Sequence, residues 1–419
     1  MTEVVAVDAF DVRLARRAPG VLAEFNAAGV LGVADVHVAQ TLGRLGEETD
    51  DRVLLAIALT VRAVRLGSVC IDLGEVSATV SAEGVDSVEL PDLPWPDPTE
   101  WYAACRASSL VADGIGGDAS RPLRLIDELL YLDRYWRQEE VVRAELDLRA
   151  TGAPPSFDDA RFAAALGRLF PEPAPDYQRL AAAACASGLV TVIAGGPGTG
   201  KTTTVARLIA LLMDSFDTVP RIALAAPTGK AAARLQEAVA HESESLRAAG
   251  LADLPVLSAS TLHRLLGWRP GSQSRFRHDR TNRLPYDVVI VDETSMVSLT
   301  MMSRLLEAVR PDARVVLVGD PDQLASVEAG AVLGDLAHRP ARAGSDARLA
   351  TLTDALPADL HPTGGNPEVS ADDIAADLRR DVVRLRKQYR FGGVIGELAA
   401  AIRVGDQEKV VSLLHGGSK

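Results

Sequence analysis

Gly195-Gly-Pro-Gly-Thr-Gly-Lys201-Thr202 reads G-x-x-x-x-G-K-T. It lies between an apolar β-rich run, Leu189 to Ala194, and a segment with helical apolar spacing at Val205, Leu208, Ile209 and Leu212. Such a turn lets successive backbone N–H groups face a polyphosphate, with Lys201 reaching the outer phosphates and the Thr202 hydroxyl taking a place on Mg²⁺. A helix opening here adds its N-terminal field to the attraction. Gly195, Gly196, Pro197, Gly198, Thr199, Gly200, Lys201, Thr202 and Thr203 are therefore the predicted cradle for a nucleoside triphosphate.

Two further constellations follow apolar runs. After Asp287-Val-Val-Ile-Val291 come Asp292 and Glu293. Adjacent acids are ordinarily a solvated loop, but the preceding run and the upstream phosphate loop favour chemistry. Asp292 is placed to hold Mg²⁺ with Thr202, and Glu293 is the candidate general base for an attacking water. After Arg314 to Val318 comes Gly319-Asp-Pro-Asp-Gln323. Gln323 is either a plain turn residue or an amide that senses the γ-phosphate and orients water.

A second group of residues suits a nucleic acid. Thr228 and Lys230, at the opening of another helix, fit a phosphodiester backbone. Thr261 and His263 offer further donors, although a lone histidine is as readily structural. From Arg264 to Arg283 the chain gathers six arginines, at 264, 269, 275, 277, 280 and 283, with Trp268 and Phe276 among them. Cations interleaved with aromatic rings fit a single-stranded nucleic-acid track better than a merely solvated face.

The elements needed to position these residues can be read from the surrounding pattern. Strand candidates at Arg221 to Ala226, Asp287 to Val291 and Arg314 to Val318 alternate with helical segments, the signature of a parallel α/β sheet. Ligands of such sheets sit beyond the carboxyl ends of the strands. Residues 1 to about 150 read as mainly helical, with a stripe through Val53, Leu54, Ile57, Ala58, Val61 and Val64 and then a short β-like stretch, and carry no catalytic constellation. Leu90 to Pro98 is a proline-rich loop, and Thr151 to Ser156 and Pro171 to Pro175 bracket a short helix as a linker. His338 to about Ser370 reads as a long surface insertion.

With 419 residues, 47% hydrophobic and 24% charged, the chain reads as globular, with two or three domains. A net charge of −13 excludes a generally basic coat but not a local basic groove. Cys70, Cys105 and Cys185 are widely spaced and read as reduced thiols. Acidic Glu3, Asp8 and Asp11 replace the basic segment of a signal peptide, and no apolar run reaches membrane length, so the expected location is cytoplasmic.

Taken in order, the motifs resemble those of superfamily 1 DNA helicases of the RecD family, the alpha subunit of the RecBCD exodeoxyribonuclease V. Asp176-Tyr-Gln178 is similar to the family's adenine-reading Q motif. Gly195 to Thr202, Ala226 to Lys230, Thr261 to His263, Asp292 to Met296 and Gly319 to Val327 follow in the family's order. Leu385-Arg-Lys-Gln-Tyr-Arg390-Phe resembles motif IV, whose arginine meets the γ-phosphate. Ala34 to Val38 and Val64 to Leu73 look like the amino-terminal domain that docks onto RecC, and the absence of a tandem hairpin-helix-hairpin pattern points away from stand-alone RecD-like helicases.

The resemblance implies a P-loop NTPase with a RecA-like parallel sheet flanked by helices, preceded by a mainly helical docking domain over 1–150. The first RecA-like domain would cover 151–385, with an arginine-rich insertion near 264–283, and a second would begin over 386–419. ATP and Mg²⁺ are the implied cofactors, Gln178 a nucleotide contact, and Lys201, Asp292, Glu293, Gln323 and Arg390 the catalytic group. RecB, RecC and single-stranded DNA are the implied partners, with 5′-to-3′ helicase action in double-strand break repair by homologous recombination. No candidate for motifs V and VI follows Arg390, so a truncated form is expected, and the alternative function is a nucleotide-binding docking module without motor activity.

Overall fold

The computed structural model of the chain describes residues 12–81, 93–269, 276–323, 328–340, 346–360, 370–387, 389, 397–398, 401–402 and 405–416. Two compact units divide between Val142 and Arg143, the first also taking in Ser298–Ser303.

The first unit carries helices Gly20–Ala27, Val33–Gly46, Asp51–Arg65 and Pro98–Ala107. It also contains a four-stranded sheet that the mainly helical reading understated: β1 (Cys70–Asp72), β2 (Val111–Asp113), β3 (Leu123–Ile126) and β4 (Leu129–Leu132), ordered β1-β4-β3-β2. Strands of three or four residues leave too little alternation to read. The predicted stripe lies on Asp51–Arg65, where Leu55, Ile57 and Leu59 join Phe25 and Trp101 in a buried core. Complete burial of such a side chain contributes about 1.5–3 kcal/mol. The proline-rich stretch ends by opening a helix, because Pro98 occupies the first turn and the Asp97 carboxylate accepts from Glu100 N–H. Polar groups here are matched inside the unit: Arg65 reaches the fully buried Asp35 at 2.8 Å, and Arg124 reaches Asp133 at 2.7 Å.

The second unit is built on a six-stranded, wholly parallel sheet. Its strands are β5 (Val190–Ala194), β6 (Ile222–Ala226), β7 (Ala259–Thr261), β8 (Val288–Val291), β9 (Arg314–Gly319) and β10 (Val382–Arg384), in the spatial order β10-β5-β9-β8-β6-β7. β5, β8 and β9 are buried along their whole length, which is why they read as unbroken apolar runs. From β5 the chain crosses to β6 on one side, whereas from β9 it reaches β10 on the other. The reversal leaves a crevice beyond the carboxyl end of β5.

The surface-insertion reading of 338–370 needs correction. Within it lie the helices Asp346–Ala355 and Pro357–Leu360, and Leu352, Asp359 and Leu360 are buried. The abundance of Ala, Asp and Gly hid short helices with few large apolar residues. No helix among the described residues is long and apolar enough to cross a membrane.

Candidate active site

The phosphate loop joins β5 to helix Lys201–Ser215. Its first amide is fixed by the sheet: Gly195 N–H donates to Gly319 O of the neighbouring β9 at 3.0 Å. Gly198 and Gly200 have φ of 81° and 83°, a left-handed backbone that side chains disfavour. A Cβ at Gly200 would also collide with the Gln178 amide. Thr199 Oγ1 donates to Gly196 O at 2.9 Å, and Lys201 Nζ donates to Gly195 O at 2.6 Å and Gly196 O at 3.0 Å. The ammonium thus rests on the carbonyls of its own loop, an arrangement a triphosphate can replace with stronger charge-assisted bonds. Thr202 and Thr203 occupy the first turn of the helix, partly exposed.

Gly319 is where the other strand ends meet the loop. A Cβ there would come within 3.2 Å of the Thr294 and Ser295 amides and within 2.6 Å of Leu333 Cδ2, so this close approach leaves little room for a side chain. Asp292 N–H donates to Ala225 O of β6, and Glu293 N–H donates to Asp292 Oδ1 at 2.9 Å. Burial pushes the Asp292 carboxyl above the usual range, and the Glu293 charge adds to this. The Glu293 N–H and Lys201 pull it back. Glu293 has φ of 52°, a strained conformation for a residue with a side chain, at a strand end beside a phosphate loop. Ser295 Oγ donates to Gln323 Oε1 at 3.3 Å, tying the turn after β8 to the turn after β9. Gln323 is exposed.

The predicted base-reading segment lies against the other side of the loop. Asp176 caps helix Tyr177–Ser187 by accepting from the Gln178 and Arg179 amides, and buried Gln178 donates from Nε2 to Thr199 O at 3.3 Å. Two chain segments close around it. Leu385 N–H donates to Ala194 O at 2.7 Å, and Tyr389 N–H donates to Gly198 O at 2.9 Å, so the strip after β10 crosses the phosphate loop. Glu172, Pro173, Pro175, Tyr177, Gln178 and Tyr389 help line a narrow open cleft, where Lys387 Nζ meets Glu172 at 2.9 Å and lies 4.9 Å from the Tyr389 ring centre. Arg390 lies outside the described residues, as does Arg275.

The predicted nucleic-acid contacts stand at the carboxyl ends of β6 and β7, which pair Ala226 with Thr261. Both hydroxyls are engaged. Thr228 accepts from Ala231 N–H and Thr261 from Arg264 N–H, each capping a helix at 3.2 Å. Lys230 and His263 are exposed, and the His263 ring lies 5.9 Å from that of Phe276. The arginine group divides. Arg280 meets Glu145 and Glu307, each at 3.4 Å, and Arg283 donates to Val309 O, whereas Arg264, Arg269 and Arg277 are exposed, as is Trp268. Phe276 is buried and bridges to Trp268 as a packing residue.

Sequence reading missed Gly319 as a contact point, and it missed Asp359. Asp359 is 1% exposed and pairs with Arg179 about 180 positions away, beyond any local pattern.

Two family models match the chain: an AAA domain over residues 178–329, and the N-terminal domain of RecBCD enzyme subunit RecD over residues 27–131. A Mycobacterium tuberculosis protein called RecBCD enzyme subunit RecD is 50% identical over 415 residues, 98% of this chain and 62% of that protein. The Haemophilus influenzae protein of the same name is 39% identical over 257 residues, 59% of this chain and 39% of that one. The ATP-dependent RecD2 DNA helicase of Deinococcus radiodurans is 45% identical over 149 residues, 36% of this chain and 18% of that one. The chain thus spans 62% of the length of the M. tuberculosis relative.

Proposed function

Since the chain belongs, over the residues it spans, to the RecD family of RecBCD enzyme subunits, we propose that it binds Mg²⁺·ATP at the carboxyl end of β5 and serves as a DNA-dependent ATPase of a 5′-to-3′ helicase. The observation that carries the reading is the meeting of three strand ends. Phosphate loop, Asp292-Glu293 turn and Gln323 turn gather around Gly319.

The residues present fit the cofactors. A glycine-rich loop, left-handed at Gly198 and Gly200, suits phosphate, and Asp292 with Thr202 would supply oxygen ligands of the kind Mg²⁺ takes. Bound Mg²⁺ supplies neutralisation of phosphate charge. Lys201 leaves the Gly195 and Gly196 carbonyls for the outer phosphates. Glu293 takes a proton from the attacking water, and Gln323, linked to Ser295, orients that water and reports the γ-phosphate to the turn after β8. Arg390 adds positive charge at the γ-phosphate, as in motif IV of the family. Gln178 reads the base.

Single-stranded DNA lies across the carboxyl ends of β6 and β7, met by Lys230, His263 and the exposed arginines, with Thr228 and Thr261 presenting helix N-termini to its phosphates. The region over 1–150 docks onto RecC, in a heterotrimer with RecB that works in the cytoplasm on double-strand breaks. As domains, we propose docking over 1–150, the first RecA-like domain over 151–385 and the start of a second from 386.

The test is ATP turnover with and without single-stranded DNA, comparing the wild-type chain with Lys201→Gln. Turnover stimulated by DNA and lost in the variant supports the site, whereas equal turnover in both removes it. Capture of the full chain by purified RecC checks the docking reading separately.

A further inference from the structure

Asp359 stands outside every motif, on the short helix Pro357–Leu360, and is the carboxylate against which the base-reading segment is built. Its two oxygens receive Arg179 in a fork, Nε to Oδ2 at 2.7 Å and Nη2 to Oδ1 at 2.6 Å, and Oδ1 also accepts the Asp176 N–H at 2.8 Å. Arg179 uses its remaining nitrogen on the Phe170 and Glu172 carbonyls, at 3.2 and 3.0 Å. One ion pair, its carboxylate buried and its guanidinium partly so, therefore ties two walls of the cleft: the helix start bearing Tyr177 and Gln178, and the 170–175 loop bearing Pro173 and Pro175.

We propose that Asp359 is a positioning residue for nucleobase recognition, holding Gln178 and the facing loop at the separation an adenine ring requires. The proposal rests on the reading of this site as an ATP site and adds to it a residue that touches neither phosphate nor base. The physical reason is the fork. A bidentate guanidinium–carboxylate pair fixes direction as well as distance, which a single contact does not. Asn at 359 keeps Oδ1 as an acceptor but loses the charge and the second acceptor and sets an NH₂ against the Arg179 Nε–H, so the fork is lost and the guanidinium that carries the Phe170 and Glu172 carbonyls can turn, letting the loop shift against the helix. The phosphate loop is held separately, by Gly319 and Leu385, and stays in place.

The experiment titrates the full chain, wild type and Asp359→Asn, with Mg²⁺·ATP, Mg²⁺·GTP and inorganic tripolyphosphate. Expected for the variant are ATP affinity lowered roughly tenfold, a collapsed ATP-over-GTP preference and tripolyphosphate affinity within about twofold of wild type. Arg179→Lys, which keeps the charge and removes the fork, should reproduce the pattern and stands in if Asp359→Asn does not fold. Equal losses for ATP and tripolyphosphate would overturn the positioning role in favour of general disruption. A wild-type chain that prefers ATP, with variants that prefer it equally, overturns the Asp359 proposal and leaves the site reading intact. A wild-type chain that binds none of the three overturns both.

Discussion

The two ends of the parallel sheet of the second unit use the same kinds of residue in opposite ways. Beyond β5, β9 and β8, strain and charge accumulate: Glu293 at φ 52°, a buried Asp292 raised above its usual range, and a lysine resting on its own loop. Beyond β6 and β7 the hydroxyls are spent on helix caps, and two arginines are bound into ion pairs and carbonyl contacts. Strain that the surrounding fold sustains is a mark of chemistry, whereas satisfied caps are a mark of structure that a ligand can at most share. On the proposed reading, the first end breaks the phosphate bond and the second holds a DNA strand.

The largest effect should come from Glu293→Gln. Turnover is expected to fall by about 10²–10⁴ while ATP affinity changes only a few-fold, as for loss of a general base. If turnover persists, the β8 end is not chemical and the contrast disappears. Next is Gly200→Ala, which meets both the left-handed penalty and the Gln178 amide, and calorimetry should read an affinity for ATP weaker by about tenfold or more.

At the other end, Thr228→Asp sharpens the comparison. Aspartate keeps the cap that alanine would remove at a cost of about 1 kcal/mol, so the melting temperature should hold, while the added charge lowers single-stranded DNA affinity several-fold at low salt. DNA affinity unchanged by Thr228→Asp would leave Thr228 as a cap and nothing more.

The smallest effect concerns Asp292. Its carboxyl is raised in the folded chain, so the folded state holds that proton more tightly than the unfolded state does. The ionised group therefore costs stability above the raised value, and this cost disappears as pH falls toward the unfolded value near 3.8. Asp292→Asn should raise the melting temperature of the nucleotide-free chain at neutral pH by roughly 1–3 °C while removing its Mg²⁺ dependence. A lower melting temperature would show that the charge is compensated and that this end stores no electrostatic cost.

Much of this second unit was legible because its signals are local. β5, β8 and β9 are apolar runs that end in the residues of interest, and the loop glycines are spaced by the backbone they must form. What was not legible depends on distance in the chain. Gly319 matters because the sheet order sets β9 between β5 and β8, and Asp359 because a short Ala- and Asp-rich helix folds back to Arg179. Thr228 and Thr261 were read as ligand contacts from residue type, yet a threonine that caps a helix and one that holds phosphate have the same sequence signature. The small sheet of the first unit was hidden by the shortness of its strands.

The most direct test is calorimetric titration of Mg²⁺·ATP into the wild-type chain and Lys201→Gln, with ATP hydrolysis followed in parallel with and without single-stranded DNA. The expected result is saturable binding to the wild type, weakened by at least an order of magnitude in the variant, with turnover that rises on DNA addition only in the wild type. Binding of equal strength by both proteins, or by neither, would contradict the assignment of the β5 loop as the site of ATP.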